Sequence, residues 1–128
     1  MTLEERIKQS ETHVFKTVFP DITNHHNTMF GGRVLMMMTE TAFMTATRFS
    51  RKHFVIVSSE KIDFHKPIPS ASLIGLIGRV EAIGNTSIKI KVDIYLEKME
   101  EAFREKVVTG SFTLVAIDKD HRPIKIES

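Results

Sequence analysis

Hydrophobic and polar positions divide the chain into one long apolar segment and several shorter alternating ones. The long segment begins after Gly31-Gly32. Leu35, Met38, Ala42, Ala46 and Phe49 recur there at spacings of three and four, and no Gly or Pro interrupts the run after Gly32. That repeat is the signature of a helix face, here over about Gly32–Phe49. Leu and Met favour the helix, while Thr39, Thr41 and Thr45 disfavour it mildly. Apolar residues also spread around most of the circumference, which predicts burial on several sides. Ser50-Arg51-Lys52-His53 is polar and ends the segment.

The other apolar segments have strand character. His13–Phe19 is rich in β-branched and aromatic residues and stops at Pro20. Residues 21–28 string together turn formers and predict a loop. Phe54–Phe64 starts apolar and becomes alternating, a second strand. It breaks at His65–Ser70, where two prolines exclude a central ladder. Leu73–Ile83 reads as a third strand, and Gly75 and Gly78 within it predict a bend or a close backbone approach. Gly84-Asn85-Thr86 predicts a tight turn. Ser87–Leu96 alternates most cleanly: Ile88, Ile90, Val92, Ile94 and Leu96 form one buried face. A charged connection over Glu97–Glu105 leads to a fifth strand, Val107–Ile117, then an Asp118-Lys119-Asp120 turn and a polar tail. Residues 3–10 can form a short amphipathic helix. The order β-α-β-β-β-β, with sequential hairpins, predicts an α+β fold with the helix packed on one sheet face.

Composition narrows the functional classes. A length of 128 residues suits one domain spanning 1–128. With no cysteine, disulfides, thiolate metal sites and a Cys nucleophile are excluded. Lys plus Arg number 18 and Asp plus Glu 16, a net charge of +2 that gives no case for nucleic-acid binding. No apolar run approaches the roughly 20 residues needed to span a bilayer, and the N-terminus has no apolar signal core. A cytoplasmic protein with no membrane association is the expectation. Neither a Walker A loop nor a G-x-G-x-x-G motif is present, so nucleotide hydrolysis and dinucleotide binding are unsupported.

The candidate chemistry gathers around the start of the long segment. A helix N-terminus offers free N–H groups and a dipole that favour a developing oxyanion. Gly31 and Gly32 would let a substrate approach that backbone, or simply make a tight helix entry. Asn24 can hold a water or carbonyl, or organise a turn. His25 and His26 are adjacent in a polar loop, and two such ligands make no metal site. Glu40 is the acid set in the apolar run; it is a paired structural carboxylate or, if burial favours its neutral form, a group suited to general-base work. Met36, Met37 and Met38 are core filler or the lining of an apolar ligand site.

Four motifs in order resemble the hotdog-fold acyl-CoA thioesterases, in the acyl-CoA hydrolase branch. Asn24–Gly32 (NHHNTMFGG) resembles the family's N-x-[HN]-G-x-x-F-G-G. Asp63–Ile68 (DFHKPI) resembles its D/N-F-x-x-P-[IV]. Gly84–Ile88 (GNTSI) resembles its G-x-[TS]-S-[IL], and Phe112–Asp118 (FTLVAID) its closing F-T-[FLM]-V-A-[VIL]-D. Two positions depart from the pattern. Asn27 replaces a usual Gly, a mild change because Asn tolerates left-handed backbone. Seven residues after Gly32 the family places an acid; here that residue is Thr39, followed by Glu40.

The resemblance implies an antiparallel sheet wrapped around one central helix and hydrolysis of an acyl-CoA thioester without a cofactor. It assigns Asn24, Gly32, Thr39 and Glu40 to catalysis. Gly31, Gly84, Asn85, Thr86 and Ser87 would contact substrate or coenzyme A. From the residues alone, Ser58 and Ser59 face an acyl pocket or are exposed strand serines, and Lys61, Lys66, Arg79 and Lys89 are unranked sources of positive charge. The resemblance further implies a homodimer or a hexamer built as a trimer of dimers. The absence of acid at Thr39 leaves a non-catalytic acyl-CoA binder as the alternative. A hotdog dehydratase ranks below both, since its His-led helix signature is missing.

Overall fold

In the computed structural model, which describes residues 1–126, the chain forms α1 (Leu3–Ser10), β1 (Thr12–Val18), a 3-10 turn (Pro20–Ile22) and α2 (Gly31–Ser50). Four strands follow: β2 (His53–Phe64), β3 (Ser72–Ile83), β4 (Ser87–Lys98) and β5 (Arg104–Ile117). The short amphipathic stretch does fold. The Thr2 hydroxyl accepts from the Glu5 N–H at 3.1 Å, and Glu4, Glu5 and Lys8 match the helix dipole. α2 stops at Arg51, which adopts φ 53° and donates its N–H to the Thr47 carbonyl at 2.7 Å.

The strands pair antiparallel in the order β1-β3-β4-β5-β2. Sequential hairpins join β3, β4 and β5 as the sequence predicts, but β2 and β3 are not neighbours. α2 crosses the sheet, so the strand that follows it emerges at the far edge, beside β5. The Pro67–Pro69 segment then carries the chain back below the start of α2, where the Met29 N–H bonds to the Ile68 carbonyl at 2.8 Å. The charged connection is also shorter than expected. Glu97 pairs with Arg104 and Leu96 with Glu105, so the ladder runs on into charged residues. The tail is not simply polar either. Ile124 and Ile126 donate to the Ala116 and Asn85 carbonyls, at 2.9 and 3.0 Å, and Ile126 is buried.

The core lies between α2 and the sheet. Val34, Met38, Ala42 and Ala46 are buried with Ile74, Leu76, Ile90, Ile94, Phe112 and Leu114. Two glycines permit the contact. A Cβ at Gly78 would collide with Thr45 Oγ1 and lie 3.0 Å from Thr41 Cγ2. At Gly110 it would collide with Ile62, the residue after a bulge at Lys61 (φ 54°), and come within 3.1 Å of Met38.

Burial of α2 on several sides is not what one chain achieves. Met36 is 49% exposed, Phe43 42%, Met44 39% and Leu35 38%. The sheet covers one side of the helix and leaves this apolar side open. On the sheet face away from α2, the edge strand β2 also exposes Val55, which pairs with Val115.

Candidate active site

The loop before α2 is built by Asn24. Its Oδ1 accepts from the His26 N–H at 2.8 Å, the Thr28 N–H at 3.3 Å and the Thr28 hydroxyl at 3.2 Å. Its own N–H donates to the Thr28 carbonyl at 2.7 Å. The Asn24 side-chain oxygen is therefore engaged within the loop, and its amide N–H₂ is the part left to meet a ligand. Asn27 takes φ 59°, the conformation for which the pattern's glycine is suited. His25 and His26 are exposed, with ring centroids 3.9 Å apart.

α2 then begins without a side-chain cap, at Phe30. Among the described residues the N–H groups of Gly31 and Gly32 have no hydrogen-bond partner, while those of Arg33 and Val34 both bond to the Phe30 carbonyl. A Cβ on Gly31 or Gly32 would meet nothing within 4 Å. The chain's own packing makes no demand for glycine at either position, and Gly31 lines a cavity of about 320 Å³ with Met29, Phe64, His65 and Ile68.

Two turns further on lie Thr39 and Glu40. Thr39 is half-buried and its hydroxyl donates to the Leu35 carbonyl at 2.8 Å. Glu40 is exposed, which corrects the expectation of a buried acid. The residue sits about 100° around the helix from Thr39, on the side that the sheet does not cover. Among the described residues it forms no ion pair. Glu40 and Met44 stand on a crest between two grooves. On the β2 flank, Thr39, Phe43, Phe54 and Ile56 line an open cavity of about 510 Å³. On the β1 flank, Val14, Lys16, Met29, Arg33, Met36 and Met37 line one of about 290 Å³.

The remaining candidates are not gathered here. Ser58 and Ser59 lie exposed on the β2 edge. Ser59 pairs with Phe112 and shares its helix-facing side; Ser58 pairs with Thr113 and faces outward. The Gly84–Ser87 turn lies at the opposite end of α2. Its Asn85 and Thr86 carbonyls accept from Ile126 and Ala116, and the Ile126 carbonyl accepts from Ser50, the last residue of α2, at 3.1 Å. A 20-residue helix is about 30 Å long, so one chain holds this turn far from Gly31. Gly32 and Thr39 are themselves two turns apart, about 10 Å, and the helix N–H groups point away from Thr39. Of the four candidate cations, Lys66 pairs with Glu105 at 2.5 Å, Arg79 with Glu11 at 3.8 Å and Lys89 with Glu60. Hydrogen bonding and charge between the last two raise the Lys89 pKa and lower that of Glu60.

The sequence reading missed Lys16 and Arg33. The signal for Arg33 was available: Arg33, Met37, Glu40 and Met44 recur at four, three and four, a second stripe beside the core stripe. Lys16 needed the pairing of β1 to be known.

A long helix laid across a five-stranded antiparallel sheet is the hotdog arrangement. A model of the thioesterase superfamily matches residues 26–103. The chain is 34% identical over 118 residues to the uncharacterized acyl-CoA thioester hydrolase YkhA of Bacillus subtilis, covering 91% of this chain and 69% of that protein. It is similar in structure to an acyl-CoA hydrolase of Staphylococcus aureus solved with butyryl coenzyme A, coenzyme A and coenzyme A disulfide. There the TM-score is 0.89 at 28% identity, covering 93% of this chain and 73% of that one. The same hydrolase has been solved as alanine variants at an aspartate, a threonine and an asparagine. An apo-hexameric acyl-CoA thioesterase also aligns with TM-score 0.89 and 28% identity, over 93% of this chain and 76% of that one. The chain belongs to the thioesterase superfamily, and its enzyme class is that of a thioesterase. No helix among the described residues is long and apolar enough to cross a membrane.

Proposed function

We propose that the protein hydrolyses acyl-CoA thioesters, with two copies of the chain completing each site. The observation that carries the reading is the start of α2: the N–H groups of Gly31 and Gly32 have no partner among the described residues and Gly31 lines a cavity, in a thioesterase-superfamily chain. They receive the carbonyl oxygen as it becomes an oxyanion. The Asn24 amide donates to the same carbonyl or to the attacking water. Glu40 removes a proton from that water as its oxygen bonds to the carbonyl carbon. The tetrahedral adduct then collapses, the C–S bond breaks, and the Glu40 carboxyl returns its proton to the departing coenzyme A thiolate. Thr39, whose proton is committed to Leu35, serves the water as an acceptor only.

Two copies are needed because one chain separates these groups. The acid lies two turns downstream of the N–H groups, and the Gly84–Ser87 turn lies beyond the other end of the helix. A two-fold arrangement running α2 antiparallel to its mate carries the start of one helix toward Glu40 of the other. The open apolar side of α2 and the edge of β2 supply the surface for it. Further assembly into a hexamer, as in the similar thioesterase, fits the same reading. So does membership of cytoplasmic lipid metabolism, with Ser59, Asn85, Thr86 and Ser87 at the coenzyme A.

One observation favours the alternative of an acyl-CoA binder without turnover. The asparagine and the aspartate replaced in the S. aureus hydrolase lie fifteen residues apart, the spacing of Asn24 and Thr39. That spacing supports reading Thr39 as the counterpart of the aspartate. An assay of purified protein against acyl-CoAs of several lengths, read as released thiol, decides between the two. Turnover is expected; coenzyme A binding with no thiol release above buffer background would leave only the binder. Thr39→Asp, which places an acid at the family position, is expected to raise kcat at least tenfold.

A further inference from the structure

We infer that the groove between α2 and β1 seats the acyl chain of the substrate, an unbranched apolar chain, and that Met36 and Met37 set how long a chain it takes. The inference rests on the acyl-thioester reading above and adds to it which flank of α2 the chain follows.

Three observations converge on this flank. The first is the lining. Met29, Met36, Met37 and Met44 face the groove, four of the seven methionines in the protein. Their neighbour Met38 is fully buried against the sheet, so the enrichment belongs to this face and not to the sequence run alone. Unbranched thioether side chains adapt to an irregular or variable occupant better than branched ones.

The second is the position. The groove starts at Arg33, one residue past Gly32, and continues to Met44. From Glu40 back to Arg33 the helix spans seven residues, about 10 Å, enough to seat a medium chain. Glu40 stands on its rim, so a chain lying here has its thioester end beside the proposed base. Lys16 and Arg33 are on the same rim and, among the described residues, make no ion pair.

The third is the shape. Here β1 and the loop ending at Met29 face the helix as a second wall, and Met29 is pinned by its N–H bond to the Ile68 carbonyl. The larger groove on the other flank runs out past Phe54 and Ile56 to the unpaired edge of β2. That open flank suits the second copy of the chain; the walled flank suits a ligand.

The test uses full-length protein labelled with ¹³C at the methionine methyls. It is titrated with coenzyme A alone and then with S-butyl-, S-octyl- and S-dodecyl-coenzyme A, thioethers that cannot be hydrolysed. The Met36 and Met37 methyl resonances are expected to move with the octyl and dodecyl compounds but not with coenzyme A, while Met99 stays still. Kd is expected to fall by up to about fourfold per added methylene until the groove is full. Tighter binding of the long thioethers with Met36 and Met37 unmoved would overturn the inference, as would affinity that ignores chain length. Turnover is a separate matter: methyl shifts without hydrolysis of any thioester would sink the hydrolase reading and leave the groove standing.

Activity gives the second arm. Met37→Trp is expected to lower the ratio of kcat/KM for dodecanoyl- to butanoyl-CoA at least tenfold. Met36→Trp, at a more exposed position, replaces it if the first variant fails to fold. A ratio that moves with Ile56→Trp on the other flank, and not with either Met variant, would place the chain there instead.

Discussion

The two sides of α2 differ in what closes them. On the sheet side, Val34, Met38, Ala42 and Ala46 are almost inaccessible, and Gly78 and Gly110 let the strands approach until side chains interlock. On the other side, Met36, Phe43 and Met44 are comparably apolar yet 39–49% exposed, with Glu40 in their midst. The first side is complete within one chain. The second has an open apolar surface, an acid that forms no ion pair among the described residues, and a helix start that lines a cavity with Phe64 and His65. Hydrophobic burial therefore accounts for the fold on one side and leaves binding and assembly to the other.

The sharpest way to test this division is to change one residue on each side. Glu40→Gln preserves shape and removes the base. A fall in kcat of about 10²–10⁴ is expected, the usual contribution of a general base, with an unaltered thermal midpoint because the side chain is exposed. Wild-type turnover in this variant would mean that the proton goes elsewhere. Met38→Ala does the opposite. It leaves a cavity between α2 and Gly110 and should cost about 2–5 kcal/mol in a denaturant titration. A cost below about 1 kcal/mol would mean that the core relaxes around the gap.

An intermediate effect is expected from Phe43→Glu on the open side. Placing a second acid beside Glu40 costs little in an isolated chain but opposes any apolar contact made there. Light scattering coupled to gel filtration should show a smaller species than wild type, with circular dichroism unchanged and thioester turnover reduced in step. An unchanged mass would remove this side of α2 from the assembly.

These contrasts were only partly legible in the sequence. The Leu35–Phe49 repeat located α2 to within a residue at each end, and the alternation of Ile88–Leu96 located β4, because both depend on local periodicity. Strand order was not local. Nothing within β2 or β3 reveals that α2 has carried the chain to the opposite edge. Glu40 failed for a related reason: apolar neighbours along the chain implied burial, but which side of a helix is covered depends on a sheet built from distant residues. The motifs carried the family correctly. They could not reveal that Asn24 spends its acceptor on the loop, or that the Gly84–Ser87 turn and the start of α2 are a helix length apart in one chain.

The smallest effect is expected where neither side of α2 is involved. Glu60 and Lys89 form an exposed ion pair on the sheet, and their mutual hydrogen bond and charge lower the Glu60 pKa and raise that of Lys89. A lowered carboxylate pKa means that the folded state holds its proton less tightly than the unfolded chain. The pair's contribution is therefore present above the unfolded value near 4.5 and is lost as pH falls through the folded pKa. Both partners are solvated, so salt screens them. Glu60→Gln should leave the thermal midpoint at pH 7 and moderate salt within experimental error and slightly soften the acid limb below pH 4.5. A drop at pH 7 as large as that of Met38→Ala would mean that stability is not concentrated between α2 and the sheet, and the contrast between the two helix sides would lose its basis.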